Sequence, residues 1–354
     1  MDTSRVGSSF QNPYIMSSKI LGHIDTLYAV LAEKPTRPFC MEIHLTNQCN
    51  QFCAGCSSDY YRNKKPVEHL HSNKTKCMLQ NFKDNDGKAV LWSGGGEPSI
   101  YVCQETGDHF LDLARFVDQL SLQQGIYTNG SQLNEVTMDF LVDHFQFVRV
   151  SLDAFSATVY RSIRKSNDYE QVVSNIRYLC DRKKKRNSKV TIGVSYVIRD
   201  NNLQDIEQLE SWLERVKVDY VYFKPAVYQD GKHPTKEQME EVYRQIQTIY
   251  DKSHGVALLL PYDKLAYEQS VETCYYHYFC PCLGADGKLY TCCHHVGDPK
   301  FVIGDLSEDA LWNRIPFHHI DQNRHCPPNC RGIQINNMIA KIRSMQSYTH
   351  VNFM

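Results

Sequence analysis

The chain has almost no charge imbalance: 39 Lys and Arg stand against 40 Asp and Glu, a formal net charge of −1. A protein so balanced has no overall field to draw nucleic acid or an anionic membrane as its main partner. It also has no apolar run of membrane-spanning length, and residues 1–12 lack the apolar stretch of a signal peptide. A cytoplasmic protein without a membrane partner is the expectation. Internal repeats and low-complexity linkers are absent as well. With 42% hydrophobic residues, 22 Tyr and 15 Phe, the chain has too much to bury to remain disordered. Its 354 residues suffice for one large domain, or one domain with a smaller appendage.

What the chain does have is cysteine, 14 in all. In a small secreted protein an even count suggests disulfides, but this chain is long and carries no export signal. Reduced thiols in such numbers point to metal or cluster ligands. Cys49, Cys53 and Cys56 form one group, and Cys274, Cys280, Cys282, Cys292, Cys293, Cys326 and Cys330 form a second. Cys40, Cys77, Cys103 and Cys180 are scattered.

Residues 14–33 carry apolar positions near helical spacing, and Pro35 and Pro38 then end the predicted helix. Beyond Phe39, short apolar runs alternate with helical stretches. Strands are predicted over 41–45, 89–92, 125–128, 147–152, 190–198 and 220–223, and helices over 109–120, 135–145, 169–182, 203–216 and 236–251. This alternation predicts a parallel sheet with right-handed crossovers, closed or partly closed. Several strands alternate polar and apolar residues instead of reading as apolar runs: Glu42, His44 and Thr46; Arg149, Ser151 and Asp153; Tyr220, Tyr222 and Lys224. With helices on the outer face, these sets should line the inside of a barrel with a wet lumen. The basic run 182–186 reads as a solvated helix end. Past His254 the texture changes: Asp286-Gly287 signals a hairpin, cysteine density rises, and a last helix should start after Gly332.

The segment Cys49-Asn-Gln-Phe-Cys53-Ala-Gly-Cys56 follows directly on the first predicted strand. Three thiolates so close can hold three irons of a cubane cluster and leave the fourth iron open; a partial zinc site is the alternative. Trp92-Ser-Gly94-Gly95-Gly96-Glu97-Pro98 ends the second strand, where glycines expose backbone and a carboxylate can receive an ammonium group. Tyr127-Thr128-Asn129-Gly130 follows the third strand, and Val150-Ser151-Leu152-Asp153 the fourth. Arg164 ends the segment Tyr160-Arg-Ser-Ile-Arg164 and, taken singly, reads as a surface charge.

Together and in this order, these motifs resemble the radical S-adenosylmethionine superfamily. The resemblance implies a partial (β/α)6 barrel of the TIM type, an α/β fold, with Cys49, Cys53 and Cys56 holding a [4Fe–4S] cluster that binds S-adenosylmethionine. It further implies that Gly95, Gly96, Glu97, Thr128, Asn129, Ser151, Asp153 and Arg164 bind that cofactor. An electron donor such as flavodoxin or ferredoxin would supply the electron that cleaves it to methionine and a 5′-deoxyadenosyl radical, which abstracts hydrogen from substrate. Family members usually carry an aromatic residue just before the third cysteine; here Gly55 stands there, so Phe52 or another aromatic would have to face the adenine.

The C-terminal cysteines resemble the twitch domain, the shortened form of the SPASM extension, which binds one auxiliary [4Fe–4S] cluster. Cys274, Cys292, Cys326 and Cys330 are the ligands this implies, with Cys280, Cys282 and Cys293 as alternates; a zinc ribbon on the same residues stays open. Residues 313–325 contain no cysteine, so one auxiliary cluster is expected, not two. His294, His295, His318 and His319 are further possible ligands, and Gly304-Asp305-Leu306 and Trp312 read as packing of the small domain. The division expected is an N-terminal helical extension over 1–38, a radical core over 39–254 and an auxiliary domain with a C-terminal helix over 255–354.

A sugar, aminocyclitol or nucleoside of natural-product biosynthesis is the first expectation for substrate, oxidised with help from the auxiliary cluster. Only 48 residues precede Cys49, too few for a separate leader-peptide domain. Polar lumen residues Glu42, His44, Arg149, Tyr222 and Lys224 suit such a molecule, with Glu42, His44 and Lys224 as catalytic candidates. The alternative is a ribosomal-peptide epimerase or crosslinking enzyme, for which Cys103 or a spare C-terminal cysteine would donate hydrogen. A zinc-stabilised binding protein is the alternative without catalysis.

Overall fold

The structure is a computed structural model of the chain and describes residues 17–64, 66–226, 234–250, 255–260, 273–306, 320, 326 and 330–345. Six strands fall where hydrophobic patterning places them: β1 (Cys40–His44), β2 (Ala89–Ser93), β3 (Gln123–Thr128), β4 (Phe147–Ser151), β5 (Thr191–Ile198) and β6 (Tyr220–Pro225). A seventh, β7 (Ala257–Leu259), pairs parallel with β6 and carries the sheet past residue 254. From β1 to β7 each strand lies beside its predecessor, all parallel. At the other edge β8 (Cys282–Leu283) pairs parallel with β1, and antiparallel β9 (Lys288–Tyr290) and β10 (Val302–Asp305) extend it. Among the described residues the result is one ten-stranded sheet in the order β10-β9-β8-β1-β2-β3-β4-β5-β6-β7.

Period-two patterning decides what each face does. Met41, Ile43, Val90, Trp92, Ile126, Val148, Val150, Ile192, Val194, Val221 and Phe223 point to one face and are buried there. That face is covered by α4 (Phe110–Gln119), α5 (Glu135–His144), α7 (Tyr169–Arg186) and α9 (Lys236–Tyr250), each supplying buried apolar residues such as Leu113, Leu141, Ile176 and Ile246. The opposite face wraps a polar cavity to which all of β1 to β6 contribute, including Glu42, Ser93, Tyr127, Arg149, Ser195 and Tyr222. Six strands can line one cavity only if the sheet curves, which is the partial barrel the sequence predicts.

The patterning reads some segments incompletely. Residues 14–16 of the predicted first helix lie outside the described residues; the rest is a 3-10 turn over Ser17–Gly22 followed by α1 (Ile24–Leu31). The stretch predicted as one helix over 203–216 divides into a 3-10 segment (Gln204–Gln208) and α8 (Leu209–Arg215). The Asp205 carboxylate turns away there to accept from the Phe155 backbone N–H at 2.5 Å and from the Ser156 hydroxyl at 2.5 Å. Three helices carry too few apolar residues to stand out: α2 (Asp59–Lys64), α3 (Ser72–Asp84) and α6 (Ala157–Arg164). The basic run 182–186 is the last turn of α7, where Arg182 and Arg186 pair with Asp139 and Lys183 with Asp219. The expected last helix is α10 (Ile333–Met345). Trp312, His318 and His319 lie outside the described residues.

Candidate active site

The loop after β1 is held by backbone bonds at both ends. Gly96 N–H donates to the Thr46 carbonyl at 2.9 Å, Glu97 N–H to the Gln48 carbonyl at 2.8 Å, and Ala54 N–H to the Ile163 carbonyl of α6 at 2.8 Å. The first two bonds require that the chain after β2 pass against this loop. A Cβ at Gly96 would fall 1.8 Å from the Gln48 carbonyl oxygen, and one at Gly94 1.6 Å from that of Gly96. Glycine is therefore obligatory at both positions. Gly55, where an aromatic residue was expected by resemblance, has φ of 62°, backbone that favours glycine over an aromatic. Phe52 does not replace it: that ring is 70% exposed and lies outside the cavity lining.

Cys49, Cys53 and Cys56 all line the cavity, whose volume is about 570 Å³. Each sulfur faces one N–H donor: Asn129 Nδ2 at 3.9 Å from Cys49, Arg164 Nη1 at 3.5 Å from Cys53, and Arg62 Nη1 at 3.6 Å from Cys56. Donors aimed at three neighbouring sulfurs suit thiolates held on a metal cluster, because N–H···S contacts stabilise the charged ligand. Burial pushes the Cys49 thiol up to about 11, so cluster binding there must displace a proton. Arg62 went unnoticed in the sequence, where nothing distinguishes it from a surface arginine.

Glu97 is the hub beside these thiols. Its buried carboxylate accepts from Thr128 Oγ1 at 2.6 Å, from the Asn129 N–H at 2.7 Å and from Ser99 Oγ at 2.8 Å. Burial raises its pKa, and those hydrogen bonds pull the other way. Across the cavity Arg164 pairs with Asp153 at 2.9 Å, both almost wholly buried, and the Arg164 Nε has no hydrogen-bond partner. Asp153 Oδ1 accepts from the Val197 N–H at 2.8 Å. Gly95, Gly96, Glu97, Thr128, Asn129, Ser151, Asp153 and Arg164 thus border one cavity with the three thiols.

The C-terminal cysteines gather beside β1. Cys274, Cys282 and Cys293 belong to one apolar cluster with Tyr61 and Tyr290. Burial, then the nearby Cys292, pushes the Cys274 thiol up to about 11, and the same two causes raise Cys282. The adjacent thiols of Cys292 and Cys293 hydrogen-bond each other, which lowers the first and raises the second. Cys330 Sγ accepts from the Gly332 N–H at 3.3 Å, and Cys326 Sγ lies 3.7 Å from His295 Nε2. Cys280 instead hydrogen-bonds Cys40. His294 reaches the cavity lining, as does Cys293.

The catalytic candidates separate. Glu42 and Lys224 line the cavity. Glu42 accepts from Ser93 and is ion-paired with Arg331, a residue sequence alone did not single out. His44 is not in the lining: it is buried between Glu42, 3.5 Å away, and Cys282. Burial lowers its pKa to about 3, so the ring is neutral. Cys103 is also elsewhere, completely buried in the main core and accepting from the Ser72 N–H at 3.4 Å, which removes it as a hydrogen donor to the cavity.

Fold and site define a class, and comparison with known proteins agrees. Residues 43–213 match the Radical SAM superfamily, whose members are enzymes that bind a [4Fe–4S] cluster and S-adenosylmethionine. Among curated proteins it is 24% identical over 243 residues to the S-adenosylmethionine-dependent nucleotide dehydratase RSAD2 of Oncorhynchus mykiss, covering 66% of each chain. It is 28% identical over 141 residues to the probable GTP 3′,8-cyclase of Archaeoglobus fulgidus, covering 40% of this chain and 44% of that one. The chain thus spans less than two thirds of these relatives' lengths. Among solved structures, SuiB of Streptococcus suis bound to its precursor peptide SuiA superposes with a TM-score of 0.62 at 14% identity, over 85% of this chain and 69% of that one. The enzyme anSMEcpe with bound AdoMet gives 0.59 at 14% identity, over 84% of each chain. These two likenesses concern the fold, and the cysteine-rich C-terminal region is consistent with their SPASM or twitch type of extension.

Proposed function

We propose that the chain cleaves S-adenosylmethionine reductively and uses the product to oxidise a small polar molecule, such as a sugar, aminocyclitol or nucleoside, with an auxiliary [4Fe–4S] cluster as electron acceptor. The observation that carries this reading is the convergence of Cys49, Cys53, Cys56, Glu97 and Arg164 on one cavity that also holds Arg149, Tyr222 and Lys224. When bound, the cluster and its cofactor supply the one-electron cleavage and the hydrogen-abstracting radical. Cys49, Cys53 and Cys56 would hold the cluster, and Asn129, Arg164 and Arg62 would stabilise their thiolates. Glu97 would receive the cofactor's ammonium, its position fixed by Thr128, Asn129 and Ser99. Arg164, held by Asp153, would meet the cofactor's carboxylate. Glu42 and Lys224 reach the space left for substrate.

In this reading the radical core begins at residue 39 and runs beyond the expected boundary at 254 to take in β7 (Ala257–Leu259), and the auxiliary unit follows, its ligands coming from Cys274, Cys282, Cys292, Cys293, Cys326 and Cys330. The polar, charged lining supports a small hydrophilic substrate. Anaerobic reconstitution tests the proposal. It predicts about eight irons per chain and release of 5′-deoxyadenosine on reduction. Replacing Cys49, Cys53 and Cys56 by Ala should leave about four irons and no release. A colourless chain with stoichiometric zinc overturns it; turnover only with a peptide moves the substrate to that class.

A further inference from the structure

The cavity's cations are not all accounted for by the cluster and cofactor. Arg62 and Arg164 face thiols, Arg331 pairs with Glu42, and Arg199 donates to the Gly55 carbonyl at 3.4 Å. Arg149, on β4 two residues and about 7 Å before Ser151, is different. Its Nε donates to Tyr220 Oη at 2.8 Å. Its guanidinium carbon lies 4.8 Å from the Tyr127 ring centre, 4.9 Å from Tyr222 and 5.4 Å from Tyr220. Among the described residues no carboxylate pairs with it, and its two Nη groups have no hydrogen-bond acceptor.

The cage is built for this. Tyr220 reaches Arg149 by lying across Gly193 on the intervening strand, where a Cβ would meet the Tyr220 ring at 2.2 Å. Three phenol faces hold the cation without neutralising it. A second cation lines the same cavity: Lys19, from the turn over Ser17–Gly22, pairs with no carboxylate among the described residues and is close enough to Arg149 that, after burial, the repulsion between them lowers its pKa. A cation left without an anion in a partly desolvated cavity is costly unless a ligand supplies the charge. A guanidinium fork beside an ammonium matches a multidentate oxyanion.

We propose that Arg149 and Lys19 form the subsite for an anionic group, phosphoryl or carboxylate, on the substrate of this enzyme. The inference rests on the proposed radical reading and narrows its substrate to an anionic molecule whose charged end lies at Arg149, below the Ser151 level of the barrel.

The test is calorimetric titration of the cluster-reconstituted full chain with inorganic phosphate, pyrophosphate and acetate at fixed chloride. Saturable binding of the phosphates alone assigns a phosphoryl group, and of acetate alone a carboxylate. Arg149→Met and, on the exposed turn, Lys19→Met should each weaken that binding at least tenfold, with Arg149→Lys between wild type and Arg149→Met. No binding by wild type, or binding unchanged in both methionine variants, overturns the subsite. Should Arg149→Met fail to fold, Lys19→Met still decides. Iron content and 5′-deoxyadenosine release of the same wild-type preparation report separately on the radical reading. Iron present without anion binding defeats only the subsite; anion binding without iron defeats only that reading.

Discussion

Gly193 and Tyr220 face each other across β5 and β6, and the phenol ring occupies the space a side chain at residue 193 would need. Sheet register, the glycine and the tyrosine together deliver one hydroxyl to Arg149. Gly193→Ala should therefore push the ring aside and destabilise the chain by about 1–3 kcal/mol, the usual cost of overpacking a filled site. Denaturant unfolding of the variant against wild type checks it; an unchanged midpoint means the ring moves freely.

Glu97 gathers four donors from three residues, Thr128, Asn129 and Ser99, onto a buried carboxylate. Glu97→Gln keeps the shape and removes the charge that the proposed ammonium contact needs. Charge-assisted hydrogen bonds are worth about 1.5–3 kcal/mol, so cofactor affinity should fall roughly ten- to a hundredfold. Equilibrium binding of S-adenosylmethionine to the reconstituted variant measures this, and wild-type affinity would falsify the assigned role.

Asp205 holds the turn after β4 by accepting from Phe155 N–H and Ser156 Oγ. Asp205→Ala strands the buried Phe155 N–H and should cost about 1–3 kcal/mol. The thermal midpoint reads it directly, and Asp205→Asn should recover part of the loss because one carbonyl oxygen remains to accept.

Alkaline pH should destabilise the fold. Burial pushes the Cys180 thiol from its ordinary 9.0 up to about 12, and the Tyr160 and Tyr169 hydroxyls from 10.0 up to about 12. The folded chain keeps these protons where the unfolded chain releases them. Stability is then fully present below the unfolded values and lost as pH rises from about 9 towards about 12. Urea midpoints at neutral pH and near about pH 11 test the sign. Cys180 should also resist alkylation until the chain unfolds.

The barrel was legible because its strands follow the period-two rule so closely: Glu42 and Ser93 turn inward while Ile43 and Trp92 turn outward. The thiol loop and the Gly-Gly-Glu segment were legible because their chemistry restricts both residue type and spacing. His44 misled, since alternation places it on the inner face but β8 closes over that end of β1, where it meets Cys282. Cys103 misled for lack of any local signal of burial. Lys19, Arg62 and Arg331 were invisible because each reaches the cavity from a segment whose docking depends on tertiary contacts. The tyrosine cage was half legible: Arg149 and Tyr222 read as inward-facing, but only the strand register shows that Gly193 opens the path for Tyr220.

The pairing of β1 with β8 joins Glu42 to Cys282 in register, 240 positions apart in the chain. During synthesis, strand β1 emerges early and must wait with one edge unpaired until that distant segment leaves the ribosome. At about 5–20 residues per second the wait is roughly 12 to 48 s. For that interval the thiols of Cys49, Cys53 and Cys56 follow a strand with an open edge, the kind of edge that recruits foreign strands. The nascent chain is thus open to mispairing along β1 until the segment that carries its second group of thiols exists.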